Sequence, residues 1–558
     1  MSVRRAGWPL LYAALVLAAA VVVIGPSALA WDDAFMAWPV TFPASIAPGD
    51  HLQMTYYLWL WEHALTTLDH LPWYDPFQFA AGGHASAQPF GWPLVIVSLP
   101  VGLLAGPVAA YNALVLVAFV AGAGATYALA RRLGTSPAAS AAAGFAFAFA
   151  PFRLVQATAH VNTLLAPLLP LLVYCAERAL RDDDARSARR AAWATVAVQV
   201  SIMASGELHL AVFSTALLAF YVALRAPGAP PGRRRDLVMP GMVLVAATAA
   251  VAGLMYAFVL QPSVAGEGRT LEEAATFAPR LGDIVSRQVT WLQFERYAYP
   301  GLVIVGLAVA GAIAAWRTNG RRLLGAGLVA LAVVPLALAL APGLVGHPLL
   351  QDAYRAIPML SFSRVPGRIL IVTALALAVL AAFAVDLVRR RDLRWALAAV
   401  AAMAVVADAP RGLFDRNPAG ETAVSLAPPG STILDLPPFD PGDYAGSVYT
   451  FEIIRAPGPR AGGYSPFVTP DARRAQAATV PLAEIPVDAC RWRRVVDDLG
   501  IDHVAVHLDL YGDPPERWPA DGEGLAGALD RTPGFTEVAG GGEVVLFAVD
   551  PADLECQR

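Results

Sequence analysis

Lysine is absent from this 558-residue sequence, so all 40 of its basic residues are Arg. That absence is typical of GC-rich coding and says little about mechanism. Charge is scarce in general, because 15% of the residues are charged, against roughly 25% in an ordinary soluble domain. The 57% hydrophobic content and the mean hydropathy of +0.53 indicate an integral membrane protein instead.

Cysteine is also scarce, and none of the three cysteines has the spacing of a metal site. Cys175 falls in an apolar segment, which indicates a buried thiol. Cys490 and Cys556 fall in the segment 409–558, where a disulfide and two free thiols are both compatible with the sequence. The net charge of −4 argues against a nucleic-acid partner.

Apolar runs alternate with short Arg-rich connections along residues 1–408, which predicts a mostly α, polytopic membrane protein with about eleven spans. A span needs about 20 apolar residues. Because the Arg clusters fall in every second connection, the positive-inside rule predicts a cytoplasmic amino terminus and an extracytoplasmic carboxyl-terminal domain. The predicted spans lie near residues 8–30, 108–130, 137–152, 161–179, 191–206, 208–224, 238–260, 299–316, 323–342, 367–388 and 394–408.

The apolar segment 92–105 is not counted among these spans. It is short and contains Pro93, Pro100 and Gly102. If it crossed the membrane, the Arg clusters would fall on the opposite side, so we expect a re-entrant or interfacial segment.

The first outer loop, residues 31–91, carries the strongest functional signal. A helix is predicted from Asp50 onwards, with one narrow polar stripe on a broad aromatic body, which suits the bilayer interface. An ionisable group near membrane depth is costly, so Asp50 is a candidate functional residue. Most of the aromatic residues are explained by membrane anchoring alone, with no role in catalysis. For Asp50, the alternative to a functional role is that it only caps the helix.

Several stretches together resemble the GT-C superfamily of membrane glycosyltransferases, which use polyprenyl-phosphate-linked sugars. The order of elements is a span, a long outer loop with Asp near the membrane, a juxtamembrane helix, a Trp-Tyr-Asp-Pro turn and a Gly-x-Pro start to the next apolar segment. Residues 146–153, 160–162 and 362–368 fit bacterial members. The resemblance covers residues 1 to about 408. Its paired acidic motif is not clean here, which leaves the base assignment open.

Sugar transfer from a lipid phosphate needs a carboxylate that orients or deprotonates the acceptor hydroxyl. Asp50 is the predicted base, and Asp32 and Asp33 are its rivals. The departing phosphate needs cations, for which Arg is geometrically suited. The predicted substrate-binding residues are His51, Asp75, Arg153, His160, Asn162, Glu207, His209, Arg364 and Arg368.

Most of these residues also have a simpler explanation. Asp75 precedes Pro76 and suits a turn, and an Arg at the outer interface often only snorkels. His160, Asn162, Glu207 and His209 fall in short outer connections, where polar capping is common. No spacing demands a metal, although some relatives use a divalent cation such as Mg²⁺ or Mn²⁺.

Residues 409–558 differ in composition and predict a small extracytoplasmic α/β domain. Strands are predicted at 431–436 and 503–508, a hairpin at 535–549 and a helix at 491–499. No catalytic constellation stands out there. His503 and His507 are not convincing as a pair, because positions i and i+4 on a strand are about 13 Å apart.

The leading interpretation is an enzyme that transfers a hexose or pentose from a polyprenyl-phosphate donor to a glycan, lipid or protein acceptor of the cell envelope. A transporter or flippase of lipid-linked glycan and a non-catalytic envelope assembly protein are the alternatives. Transporters place charge near the bilayer midplane. Here the predicted spans are almost free of charge at their centres, which favours chemistry at the outer face.

Overall fold

The computed structural model describes residues 3–38, 46–84, 86–88, 90–158, 160–230, 232–263, 270–289, 294–344, 348, 351–352, 356, 364–512 and 521–554. The chain is mostly helical, as predicted. The helices are α1 Val3–Ile24, α2 Asp50–Thr67, α3 Trp92–Arg132, α4 Pro137–Ala148, α5 Pro151–Ala157, α6 Val161–Leu165, α7 Leu168–Arg181, α8 Ala185–Met203, α9 Leu208–Arg225, α10 Arg233–Met255, α11 Leu271–Phe277, α12 Leu302–Arg317, α13 Arg322–Leu340, α14 Leu370–Val385, α15 Arg391–Asp408, α16 Ser447–Glu452, α17 Pro470–Ala477, α18 Ala489–Leu499 and α19 Gly522–Asp530. The strands are β1 Ala34–Ala37, β2 Tyr74–Asp75, β3 Ser86–Ala87, β4 Asp415–Pro418, β5 Ile433–Leu436, β6 His503–His507, β7 Phe535–Gly541 and β8 Val544–Val549.

The protein is a multi-pass membrane protein. Among the described residues, seven helices are long and apolar enough to cross a membrane, or eight if the bent pair α4 and α5 counts as one span. The expected number of about eleven is therefore not confirmed. All of the predicted spans are helical, but α12 has only 16 residues, and α8 and α15 both begin in Arg-rich sequence. The side of the membrane on which each end lies stays a prediction.

The segment 92–105, predicted to be re-entrant or interfacial, forms the first part of α3. Gly106 interrupts the helix with φ 86°, a conformation that glycine adopts without the steric cost of a Cβ atom. Pro107 then begins the longer second part. The location of the first part at the membrane interface stays a prediction.

The chain divides into two compact units, which we describe separately. The first unit comprises Met1–Ala28, Ala113–Gly253 and Gly268–Phe414; the second comprises Leu29–Asn112, Leu254–Glu267 and Asp415–Arg558. In the second unit β1 pairs antiparallel with β4, so the first loop and the carboxyl-terminal segment share a sheet. The domain boundary predicted at residue 408 stays a prediction.

Close helix contact marks the core of the first unit, where α12 packs against α14. A Cβ atom added at Gly311 would lie 1.8 Å from the carbonyl oxygen of Leu380. Only glycine allows the two backbones to approach so closely, because no side chain separates them. Leu380 and its neighbours on α14 are almost completely buried.

The second unit contains a four-stranded sheet in the order β5-β6-β8-β7, with β5 and β6 parallel and the other pairs antiparallel. The strands, hairpin and helix predicted from the sequence are confirmed. Helix α18 is capped at its start by Asp488, whose side chain accepts a hydrogen bond from Arg491 N–H, and at its end by Gly500 with φ 63°. Its buried Trp492 packs in the same apolar cluster as Val504.

Candidate functional site

Asp50 is the first residue of α2, but its side chain does not serve as the helix cap. The capping position is Gly49, which makes no side-chain hydrogen bond. Asp50 Oδ1 instead accepts a hydrogen bond of 2.8 Å from the Tyr464 hydroxyl. Because the carboxylate lies in the first helical turn, the positive end of the helix dipole also stabilises its charge.

Tyr464 is itself firmly held. Its backbone N–H lies 3.0 Å from Gln78 Oε1 and 3.1 Å from Thr450 Oγ1, and its carbonyl accepts a hydrogen bond from Gln53. The start of α2 is fixed from the same side, since Gly49 N–H donates to Ser447 Oγ at 2.9 Å. The second unit thus orients a half-buried carboxylate through a network that the sequence analysis did not detect.

Replacing Tyr464 with Phe is expected to lower the turnover of any reaction that uses Asp50 by about 10- to 150-fold, because a hydrogen bond to a charged group contributes about 1.5–3 kcal/mol. Steady-state kinetics should show the loss in kcat rather than in KM. Tyr74→Phe, at an exposed ring of β2, is the matched control. Full activity of the Tyr464→Phe protein would exclude an orienting role for this hydroxyl.

The other acidic candidates of the first loop have different surroundings. Asp32 and Asp33 are exposed, and Asp33 forms an ion pair with Arg416. Asp75 is fully buried and accepts hydrogen bonds from the Tyr56 hydroxyl at 2.6 Å and from the N–H groups of residues 77 and 78. Burial raises the pKa of Asp75. These contacts favour a structural role for Asp75.

His51 is buried against the rings of Phe35 and Tyr111. Burial lowers its pKa to about 3, so the imidazole is neutral at physiological pH. Its Nε2 atom makes no hydrogen bond with the described residues. Although His51 follows Asp50 in the chain, its side chain packs against aromatic rings. Substrate binding by His51 stays a prediction.

In the first unit, the structure brings several predicted substrate-binding residues together around Glu295. Glu295 Oε1 lies 3.1 Å from His160 Nε2 and 3.3 Å from Arg368 Nη2. Burial opposes the ionisation of Glu295, but His160 and Arg368 more than offset it and hold its pKa well below the usual range. Glu295 is not among the residues predicted from the sequence.

Glu207, His209 and Arg364 belong to the same charged group. His209 Nδ1 lies 2.9 Å from Glu207 Oε1. Burial opposes the ionisation of Glu207, but His209, Arg368 and His160 together lower its pKa. Arg364 also contributes to the low pKa of Glu295, and its guanidinium lies over the ring of Phe277 at 4.8 Å. We call these residues the Glu295 cluster: His160, Glu207, His209, Glu295, Arg364 and Arg368.

Arg153 does not join this group through any direct bond among the described residues. It is 1% exposed, and its guanidinium donates to the carbonyls of Ala118 and Ala148 and lies over two Phe rings. These contacts favour a structural role, and phosphate binding by Arg153 stays a prediction. Asn162 lies in α6, and its side chain is outside the described residues.

The carboxyl-terminal segment contains a buried charged group that was not predicted from the sequence, although the strands that carry Asp435 and His507 were. Arg460 Nη1 lies 3.1 Å from Asp435 Oδ1, and His507 Nε2 lies 3.2 Å from the same oxygen and 3.5 Å from Glu452 Oε2. All four side chains are at most 2% exposed. Asp435 in the otherwise apolar run of β5 was the available signal, because a buried carboxylate requires a partner.

This buried group predicts that the second unit loses stability as the pH rises. Burial alone would lower the pKa of His507, but Glu452 and Asp435 raise it, and burial raises the pKa of Glu452. Each group therefore keeps its proton to a higher pH in the folded state than in the unfolded state, starting from about pH 4.5 for Glu452 and about pH 6.5 for His507. Because the folded state binds more protons, its stability falls as the pH rises through these ranges. Hydrogen exchange of the 503–507 peptide should accelerate between pH 6 and 8 relative to His507→Gln, and equal pH slopes would contradict this.

Two groups of described residues bring carboxylates and imidazoles close enough to hold a metal: His63, Asp69 and His70, and Asp435, Glu452 and His507. Neither includes Asp50 or the Glu295 cluster. No cofactor is established for this protein. Cys175 is a buried free thiol, as expected, whereas Cys556 lies outside the described residues.

Comparison with known proteins yields matches in structure only. No protein-family model and no curated protein matches the sequence. The arabinofuranosyltransferase AftD from Mycobacteria matches with a TM-score of 0.61 and 18% identity, over 99% of this chain and 40% of AftD. The oligosaccharyltransferase of Archaeoglobus fulgidus matches with a TM-score of 0.50 and 12% identity, over 96% of this chain and 74% of the other.

This chain thus spans less than half the length of AftD, and the likeness concerns its fold. The match nevertheless extends over nearly all of this chain, including the first loop and the carboxyl-terminal segment. The resemblance noted in the sequence is confirmed at the level of architecture. The chain has the fold of the GT-C superfamily of membrane glycosyltransferases.

Proposed function

We propose that this protein is an integral membrane glycosyltransferase that moves a sugar from a polyprenyl-phosphate donor to a cell-envelope acceptor on the extracytoplasmic face. The observation that carries the proposal is the half-buried Asp50 carboxylate, which a Tyr464 hydroxyl orients at the start of α2. A positioned carboxylate suits the activation of an acceptor hydroxyl. The hydroxyl oxygen would attack the anomeric carbon of the sugar as the bond from that carbon to the phosphate oxygen breaks. This displacement would invert the configuration at the anomeric carbon.

The Glu295 cluster supports a role in binding the donor phosphate. Its two guanidinium groups, Arg364 and Arg368, stand beside the carboxylates Glu207 and Glu295. The carboxylates offset the repulsion between the cations, and a guanidinium group is geometrically suited to hold a phosphate by two parallel hydrogen bonds. This assignment is part of the proposal.

An apolar cavity of about 870 Å³ in the first unit suits the prenyl chain of such a donor. Its lining comes mostly from α1 and α15, with Trp8, Tyr12, Trp395 and Met403 among the larger side chains. Burying methylene groups there would favour binding by about 0.8 kcal/mol for each group.

The proposal is tested with the purified full-length chain in nanodiscs, radiolabelled polyprenyl-phosphate pentose or hexose, and an envelope acceptor fraction. We expect the label to move to the acceptor as unlabelled polyprenyl phosphate is released. Chelation with EDTA in the same assay tests the need for a divalent cation. If intact donor moved across liposome membranes without sugar transfer, the result would favour a transporter. If the protein showed neither transfer nor transport, the result would favour an assembly protein.

A further inference from the structure

The end of α2 places two imidazoles and a carboxylate around one point. His63 Nδ1 lies 3.4 Å from His70 Nε2, and Asp69 Oδ1 lies 3.7 Å from the first atom and 3.6 Å from the second. Donor atoms that surround one zinc ion at about 2.0–2.2 Å in a tetrahedron lie about 3.3–3.6 Å apart. The three distances match this geometry to within a few tenths of an ångström.

The lone pair of His70 is directed towards this point. His70 Nδ1 lies 3.0 Å from the carbonyl oxygen of Leu71, which can only accept a hydrogen bond. The Nδ1 atom must therefore carry the proton, and Nε2 of the neutral ring is left as a donor for a metal. A backbone carbonyl that fixes the distal nitrogen in this way is typical of metal-binding histidines.

Packing fixes the remaining groups. The His63 ring lies on Trp59 with 4.8 Å between centroids, and both imidazoles meet Phe77 edge to face. The Thr67 hydroxyl lies 2.6 Å from Asp69 Oδ1 and orients the carboxylate. The donor set is thus held in place rather than spread over a mobile surface.

The backbone explains why residues six and seven positions apart meet. Leu68 ends α2 with φ 60°, in the left-handed region that residues other than glycine seldom adopt. This turn brings Asp69 and His70 back against the last turn of α2 instead of continuing along its axis. The sequence predicted only a polar stripe along this helix, and none of the three residues was singled out from it.

We propose that His63, Asp69 and His70 bind a divalent transition-metal ion of the zinc class, which fastens the end of α2 to the segment leading into β2. Imidazole ligands favour such an ion over Mg²⁺ or Ca²⁺. The Asp69 side chain is 52% exposed, so a water molecule completes the coordination. The site is separate from Asp50 and does not depend on the proposed function.

The test uses the full-length protein after treatment with EDTA. Equilibrium dialysis against ZnCl₂, followed by metal analysis, measures the number of zinc ions bound per chain. The wild type should bind one additional zinc ion compared with Asp69→Asn or His70→Gln. We expect at least tenfold weaker binding at this site in either variant. His84→Gln, in the same loop, is the matched control and should bind as the wild type does.

Substitution of Co²⁺ should produce the visible absorption bands of a tetrahedral nitrogen and oxygen site in the wild type, and Asp69→Asn should lose them. Zinc should also raise the thermal unfolding temperature of the wild type more than that of Asp69→Asn. Because Asp69 is exposed, Asp69→Asn keeps the test valid if His70→Gln fails to fold. Equal zinc stoichiometry and affinity in the wild type and Asp69→Asn would overturn the proposal.

Discussion

Replacing Asp50 with Asn is expected to lower the rate of sugar transfer by roughly 10²–10⁴-fold, the usual contribution of a general base. Asn keeps the size of Asp50 and can still accept the hydrogen bond from Tyr464, so the fold should be retained. Transfer from a labelled donor under single-turnover conditions measures the chemical step. Glu62→Gln, on the same helix, is the control for a lost carboxylate.

The same assay separates Asp50 from its rivals. Asp33 is 60% exposed and paired with Arg416, so its loss should change the rate much less. If Asp32→Asn or Asp33→Asn abolished transfer while Asp50→Asn remained active, the base would have to be reassigned. Retained activity in all three variants would remove the carboxylate mechanism altogether.

Replacing Arg460 with Met is expected to destabilise the second unit by about 3–5 kcal/mol, because a buried carboxylate loses its partner. Asp435 and Arg460 are both fully buried, and the remaining partner of Asp435 in the described contacts is His507. Faster hydrogen exchange in peptides of β5 and β6 would report this loss. A local measurement is needed because a chain with two units does not unfold in one step.

Two further variants test the cause. Arg473 forms an exposed pair with Asp440, so Arg473→Met should cost at most about 1 kcal/mol. The double variant Arg460→Met with Asp435→Asn should recover part of the stability, because the uncompensated charge is removed. Equal exchange in Arg460→Met and Arg473→Met would show that the buried pair contributes no more than a surface pair.

Local patterns in the sequence predicted the local structure well. The helix from Asp50, the strands of the carboxyl-terminal segment and the capped helix α18 each follow from residues close together in the chain. The number of about eleven spans is not confirmed, because hydropathy alone does not set helix length, as the 16 residues of α12 illustrate.

Contacts between distant residues were beyond such patterns. Tyr464 and Asp50 are 414 positions apart, and no periodicity in either segment indicates the other. The Glu295 cluster was partly anticipated, since five of its six members had been selected as polar residues at predicted outer ends of helices. His507 was not predicted to have a polar partner, because His503 is too far away along the same strand. Its partner, Asp435, lies on the neighbouring strand.

The hydrogen bond from Tyr464 also has a consequence in time. A ribosome that adds about 5–20 residues per second needs roughly 20–80 seconds to pass from Asp50 to Tyr464. During that interval the Tyr464 hydroxyl that orients Asp50 has not yet been synthesised. For most of the interval β4, the pairing partner of β1, is also missing. A growing chain therefore contains the residues of α1 to α16 before its Asp50 site can be complete, and a chain that terminates before Tyr464 lacks that site.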